Sequence, residues 1–227
     1  MGWRNRLRRM FRAAPAVRGP QRRQSSAPLP PDADREDRLR AVLAEDPNDV
    51  PAFNELAEIV RRRAAEVAHP DPLAADTGPI TRAEAADTAH WALAEELAGR
   101  PSGWYGLIEM ARLSLDDDRE GAMRRLGAAC ERDPSGQALL EGVRMLREAH
   151  LPSEALGLGV GHWSPAEHEP EAGRQIVQAA LDAERPADAR RHLRDLAELG
   201  GNHASTARVV AELEPFVHAA ENATAGD

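Results

Sequence analysis

A run of acidic residues in the middle of the chain resembles part of a calcium-binding loop. Asp116, Asp118, Glu120 and Gly121 match positions 1, 3, 5 and 6 of that loop, whose twelfth position must be a bidentate glutamate. Here the twelfth position is Gly127, so the decisive ligand is absent. Carboxylates also suit the positive end of a helix. We therefore interpret the run as the start of a helix, which Asp118 is predicted to cap.

Two histidines further along the chain, His162 and His168, stand beside Glu167 and Glu169. Both types of side chain, histidine and glutamate, bind zinc, but a spacing of six between the histidines fits no common zinc pattern. No second pair of ligands is evident nearby. We interpret these residues as a solvated loop and predict no metal site.

Three alternate glycines, Gly157, Gly159 and Gly161, resemble part of a nucleotide-binding loop. No strand precedes them and the dinucleotide fingerprint is incomplete. They also resemble the glycine turn of a DNA-binding helix-hairpin-helix, but Pro165 displaces the alanine that should follow. Each glycine costs a helix about 1 kcal/mol relative to alanine, so we predict a short or broken helix here.

The sequence contains no recognisable catalytic constellation. No Ser/His/Asp or Cys/His set surrounds a nucleophile turn, and Cys130, the only cysteine, is expected to be a small buried side chain in a reducing compartment. The chain has no apolar run of 18 or more residues, and its basic start is not followed by an apolar stretch of 7–15 residues. These features predict a cytoplasmic protein without catalytic activity, cofactor or metal.

Charge is divided unevenly along the chain. Residues 1–31 contain eight arginines and no acidic residue, for a charge of +8. The other 21 arginines are outnumbered by 38 acidic residues, for a charge of −17. A basic arm on an acidic body indicates that the arm binds something anionic and that the body does not grip nucleic acid. The use of arginine for all 29 basic residues is typical of a GC-rich, for example actinobacterial, coding sequence.

The beginning of this arm has the pattern of a short amphipathic helix. Four apolar side chains share one face and arginines flank it, a combination that suits the surface of an anionic membrane. A helical partner, a nucleic acid, a transit sequence and no specific role are the alternatives. The residues of this predicted surface-binding segment are Trp3, Arg4, Leu7, Arg8, Met10, Phe11 and Arg12. A Pro/Ser/Arg-rich linker follows, so we predict a disordered arm over 1–34.

Helical patterns are nearly continuous after the arm. Thr81 with Glu84 forms a capping box, Pro51 suits a first turn, and residues 69–79 read as a Pro/Asp/Gly loop. The predicted helices cover about 35–45, 51–67, 82–98, 102–115 and 119–132, a pair starting near 137 and 153, and then 170–184, 187–199 and 202–218. We expect a helical domain over 35–219 and a disordered tail over 220–227.

Several of these helices carry the same ladder of small and apolar residues. The clearest copy reads Trp104, Leu107, Ala111, Ala122, Leu126, Ala129 and Pro134, a second reads Ile176, Val177, Ala180, Ala189, Leu193 and Leu196, and a third joins Leu39, Val42 and Pro47 to Phe53, Leu56, Ala57 and Val60. This ladder resembles the tetratricopeptide repeat family, whose unit is a two-helix hairpin of about thirty-four residues. The resemblance implies an all-α, right-handed solenoid of about nine or ten helices. A generic helical array of another repeat type is the alternative.

The resemblance also implies a function, because such proteins mostly hold a peptide or helix in a groove lined by the first helix of each hairpin. The groove positions of the family correspond here to Asn54, Glu58, Arg61, Tyr105, Glu109, Arg112, Arg174 and Gln178. Tyr105 is expected to be an exposed anchor. The alternative reading is that Glu58–Arg61 and Glu109–Arg112 are surface ion pairs of i, i+3 spacing.

The sequence as a whole predicts a non-catalytic protein–protein interaction module with a protein or peptide partner. Its arm would place it at an anionic membrane, at the inner face. The alternative function is an accessory protein that binds nucleic acid through the arginine-rich arm.

Overall fold

The computed structural model describes residues 32–68, 81–201 and 204–225. Within these ranges it contains ten α-helices and no strand, which confirms the predicted all-helical class. The helices are α1 (Ala33–Glu45), α2 (Val50–Val67), α3 (Arg82–Ala98), α4 (Tyr105–Ser114), α5 (Arg119–Arg132), α6 (Gln137–Glu148), α7 (Pro152–His162), α8 (Pro170–Asp182), α9 (Pro186–Leu199) and α10 (Ala204–Ala225). The predicted surface-binding segment and the predicted loop over 69–79 lie outside the described residues.

Side-chain caps determine where several of the helices begin. The predicted capping box of α3 is present, with Thr81 accepting from the Glu84 amide and the Glu84 carboxylate accepting from the Thr81 amide. Asp118 accepts from the Gly121 amide at 3.1 Å and caps α5 as predicted. These caps satisfy amides that have no partner inside the helix. Both helices begin where the sequence indicates.

The glycine-rich stretch is predicted to form a short or broken helix, and the prediction of a break is wrong. Helix α7 runs without interruption for 11 residues through all three glycines. Ala155, Leu156 and Leu158 are buried at 0 %, 2 % and 5 % exposure. Burial of these apolar side chains outweighs the low helix propensity of glycine, because tertiary packing is the main source of helix stability in proteins.

The last helix also departs from its prediction. Helix α10 continues to Ala225, so residues 220–225 are helical rather than a disordered tail. Val217 of this helix lies in the core, whereas its neighbour Phe216 is 66 % exposed. The buried row of α10 is Val209, Leu213 and Val217, which follows the four-residue spacing of one helix face.

Each helix packs against the next one along the chain. We treat α2–α3, α4–α5, α6–α7 and α8–α9 as hairpins. The first helices α4, α6 and α8 also contact one another in order, and α8 contacts the last helix, α10. One core cluster runs from α4 to α10, and a second joins α1 to α4, with Trp104 packed against both.

The ladder residues supply much of this core. Most of them are buried at 5 % exposure or less, namely Phe53, Leu56, Ala57, Ala111, Ala122, Leu126, Ala129, Ile176, Val177, Ala180, Ala189, Leu193 and Leu196. Val42 is an exception with 42 % exposure, and its neighbour Leu43 is buried instead. Alanine at so many of these buried positions lets neighbouring helices approach closely.

Arginines join the ends of successive helices. The Arg100 guanidinium donates to the carbonyls of Leu43 and Ala44 at 2.7 and 2.9 Å, at the end of α1. Arg132 donates in the same way to Ala98 at 2.7 Å, at the end of α3. Each arginine therefore satisfies carbonyls that have no partner inside their own helix.

Candidate functional site

Polar side chains from three helices meet between the α2–α3 hairpin and α4. Arg61 comes from α2, His90 from α3, and Tyr105, Glu109 and Arg112 from α4. We call these five residues the Glu109 cluster. His90, Tyr105 and Glu109 are buried, at 8 %, 4 % and 5 % exposure, whereas the arginines reach the surface.

A distant asparagine positions the helix that carries most of the cluster. Asn48, in the turn between α1 and α2, accepts from the amides of Trp104 and Tyr105 at 2.8 and 3.0 Å. Its own amide group donates to the Ser102 carbonyl at 2.8 Å. Asn48 thus caps the start of α4 from more than fifty residues away and orients the helix relative to α2.

Aromatic packing fixes the buried side of the cluster. The Phe53 ring of α2 lies edge-on to Tyr105, with ring centroids 5.2 Å apart, and 5.7 Å from the His90 ring. Phe53 itself is completely buried. Such edge-to-face pairs add stability beyond the burial of area alone, so the three rings hold α2, α3 and α4 in a defined arrangement.

Glu109 is the electrostatic centre of the cluster. One of its carboxylate oxygens lies 3.3 Å from Nε2 of His90, and the other accepts from Nε of Arg112 at 3.3 Å. Arg61 in turn lies 3.4 Å from Nδ1 of His90, and it pairs with Asp87 at 3.3 Å. The chain of contacts therefore runs from an exposed arginine through a buried histidine and a buried carboxylate to a second exposed arginine.

Burial and neighbouring charges pull the pKa of Glu109 in opposite directions. Burial alone would raise the pKa of Glu109, because the charged form is disfavoured away from water. The contact with His90 and the positive charge of Arg112 more than offset that effect, so the pKa of Glu109 is lowered. Burial raises the pKa of Tyr105, and the negative charge of Glu109 adds to this rise. Glu109 is therefore charged and Tyr105 neutral near pH 7.

The predicted role of Tyr105 as an exposed anchor is wrong, because its ring is 4 % exposed and packs on Phe53. Arg61 and Arg112 are the exposed members of the cluster, with side chains 44 % and 41 % exposed. The Glu109–Arg112 ion pair of i, i+3 spacing is present. Arg61 pairs with Asp87 of α3 rather than with Glu58.

The other predicted groove residues lie elsewhere. Asn54 and Glu58 are exposed on α2, and Glu58 acts electrostatically on Arg35 of α1. Gln178 accepts from Arg147 of α6 at 2.8 Å, and Arg174 donates to Glu212 of α10 at 2.5 Å. Gln178 thus takes part in a bridge between the first helices of successive hairpins, and Arg174 in a bridge from α8 to the last helix.

Reasoning from the sequence missed two residues, one in the Glu109 cluster and one on the last helix. His90 lies in α3, a second helix of a hairpin, so the family offsets for first helices do not include it. Phe216 is exposed on α10, one turn after Glu212, and residues four apart share a helix face. Val209, Leu213 and Val217 are spaced four residues apart and form one buried row. This spacing is the sequence signal that Phe216, one position before Val217, lies outside the row.

Residues 32–68, 81–201 and 204–225 show neither a metal site nor a membrane-spanning helix. There, no three His, Cys, Asp or Glu side chains are grouped in a way that would hold a metal ion. None of the helices in these ranges combines the length and apolar character needed to cross a membrane. Burial raises the pKa of Cys130 to about 12, and the negative charge of Asp133 contributes. This thiol is therefore protonated, and a poor nucleophile, near neutral pH.

Comparison of the chain with protein-family models, with curated proteins and with solved structures yields no match.

Proposed function

We propose that this chain is a tetratricopeptide-like, non-catalytic protein-interaction module whose first helices form the binding face. The contacts of α4 with α6, α6 with α8, and α8 with α10 support this proposal, as does the burial of the repeated ladder. Hairpins of this kind stack into a right-handed solenoid and offer an extended concave surface to a partner.

The observation that carries the proposal is the row of polar bridges along these first helices. Arg147 of α6 donates to Gln175, Gln178 and Asp182 of α8 at 2.5, 2.8 and 2.7 Å. Arg174 of α8 continues the row to Glu212 of α10. Long polar side chains held by such bridges are pre-ordered, so a partner that binds them loses less conformational freedom.

The Glu109 cluster supplies exposed cations on α2 and α4, the first helices of the two preceding hairpins. A guanidinium presents planar donors that match carboxylates and backbone carbonyls of a partner. Arg61 and Arg112 are each held at one edge by an acidic side chain within 3.3 Å, and both remain about two-fifths exposed. We infer that a protein or peptide partner contacts this pair of arginines.

A cross-linked pull-down from the native host tests this proposal with the full chain as bait. The double variant Arg61→Ala/Arg112→Ala should lose the partner that the unchanged chain captures. The matched control is Arg124→Ala/Arg191→Ala, which removes two exposed, ion-paired arginines from second helices. Equal capture by both double variants would refute the assignment of the binding face. Urea midpoints of both variants establish that the fold is retained.

The basic arm is proposed to bring the module to an anionic membrane. This part rests on the sequence, since residues 1–31 lie outside the described ranges. Sedimentation with vesicles of phosphatidylserine and phosphatidylcholine, compared with phosphatidylcholine alone, should deplete the full chain but not a chain that starts at Asp34. Equal sedimentation of the two chains would remove this role.

Nucleic-acid binding by the arm is the second candidate, and the +8 charge of residues 1–31 favours it. Binding through phosphates would weaken steeply with salt, because each neutralised phosphate releases a counterion. Titration of a labelled oligonucleotide at 50 and 200 mM salt tests this candidate. Absence of binding at the lower salt would exclude it.

A further inference from the structure

His90 stands between a cation from one helix and an anion from another. Its Nδ1 atom is 3.4 Å from the Arg61 guanidinium of α2, and its Nε2 atom is 3.3 Å from the Glu109 carboxylate of α4. We propose that His90 is a protonation-dependent latch that holds Arg61 when neutral and releases it when protonated. The inference rests on the proposed function, because Arg61 belongs to the proposed binding face.

The chemistry of the two neighbours selects one form of the neutral ring. A guanidinium can only donate hydrogen bonds, so the Nδ1 atom facing Arg61 must be the unprotonated acceptor. The ring proton of neutral His90 is then on Nε2, opposite the carboxylate of Glu109. No other partner of Nε2 is found in the described part of the chain, and the 3.3 Å contact with Glu109 is not aligned as a regular hydrogen bond.

A proton added to the ring must therefore bind at Nδ1, the atom that faces Arg61. The acceptor is lost at that moment, and two positive groups face each other across 3.4 Å. The same proton strengthens the attraction between His90 and Glu109. Protonation thus weakens a contact within the α2–α3 hairpin and strengthens one between that hairpin and α4.

The charged groups around the ring favour this outcome. From α2 the charged group in contact with the imidazole is Arg61, and from α4 Glu109 faces it with Arg112 on the far side of the carboxylate. On the helix of His90 itself, Asp87 pairs with Arg61 at 3.3 Å. Arg61 therefore keeps one anionic partner after release and turns toward Asp87 and the surface.

Nuclear magnetic resonance of the full chain tests the latch without any partner. Ring nitrogen shifts of His90 should show the Nε2–H tautomer at pH 8. The Nε–Hε signal of Arg61, assigned from its absence in Arg61→Lys, should move between pH 8 and pH 5.5 with the same midpoint as the His90 ring. In His90→Gln, which keeps an acceptor and a donor but does not titrate, the Arg61 signal should stay constant over that range.

Three results would overturn the latch, and none of them depends on binding. The first is an Nδ1–H tautomer of His90 at pH 8. The second is an Arg61 Nε–Hε shift that does not change as the His90 ring is protonated. The third is an Arg61 shift that changes as much in His90→Gln as in the unchanged chain. The tautomer measurement uses the unchanged chain, so it stands even if the variant does not fold. Failure of the proposed function would show instead as capture of the partner by Arg61→Ala/Arg112→Ala, whatever the His90 titration does.

Discussion

The three glycines of α7 permit a prediction whose size follows from the distances around them. A Cβ atom at Gly159 would lie 2.8 Å from Cγ1 of Ile176 and 3.3 Å from two further atoms of that side chain. Ile176 is completely buried and packed between helices, so it has little room to move. A Cβ atom at Gly157 would meet nothing within 4 Å.

Alanine is expected to change the free energy of unfolding differently at Gly157 and at Gly159. Replacing an exposed helical glycine by alanine stabilises a helix by about 1 kcal/mol, so Gly157→Ala should raise the free energy of unfolding by about that amount. Gly159→Ala gains the same propensity but overpacks the core, which costs about 1–3 kcal/mol. The two variants should therefore differ by about 1–3 kcal/mol. Since both alanines lie in one helix two residues apart, this difference isolates the contact with Ile176.

Urea unfolding of the full chain measures the difference. With a denaturant slope of about 2 kcal/mol/M, the midpoints of the two variants should be separated by about 0.5–1.5 M. Gly161→Ala, which is also open to solvent, serves as the control and should not destabilise the protein. A Gly159→Ala midpoint at or above that of Gly157→Ala would refute the reasoning, because it would mean that Ile176 yields without cost.

Three further predictions concern a cap, a buried acid and the thiol. Asp118→Ala should lower the free energy of unfolding by about 1 kcal/mol through loss of the α5 cap, measured by urea unfolding, and Asp118→Asn should restore most of it. The lowered pKa of Glu109 means that the native state binds the proton less readily than the unfolded chain, so its contribution to stability is present above the unfolded pKa and is lost as pH falls through the folded pKa. The urea midpoint of the unchanged chain should therefore fall more steeply below about pH 5 than that of Glu109→Gln, and equal slopes would contradict the assignment. With a pKa raised to about 12, Cys130 should react with a thiol reagent at pH 8 far more slowly in the native protein than in urea, and equal rates would show that the thiol is accessible.

Much of the helical framework follows from local signals in the sequence. Thr81 with Glu84 and the carboxylate of Asp118 start helices where their side chains can satisfy orphan amides, and this chemistry involves neighbours only. The alanine and leucine ladder marks buried positions because its spacing matches the turn of a helix. Ala122 and Leu126, for example, are completely buried. The charge difference between arm and body is also a property of the sequence alone.

Other features were decided only when distant segments came together. Helix α7 is continuous because Leu156 and Leu158 are buried against other helices, an energy that glycine propensities do not contain. In α10, Val217 rather than Phe216 completes the buried row, because the orientation of the helix on α8 and α9 sets which face is covered. A one-residue change in this choice moves a side chain by about 100° around the helix.

The Glu109 cluster combines one contact that the local sequence determines with several that depend on the tertiary structure. The sequence by itself determined that α4 carries an acid and an arginine three residues apart, which suffices for the Glu109–Arg112 pair. Only the tertiary structure decided that His90 of another helix reaches the same carboxylate, that Asn48 caps α4 from the first turn of the body, and that Tyr105 is buried. Contacts between residues far apart in the chain depend on how whole helices pack, and no local pattern of residues encodes that packing.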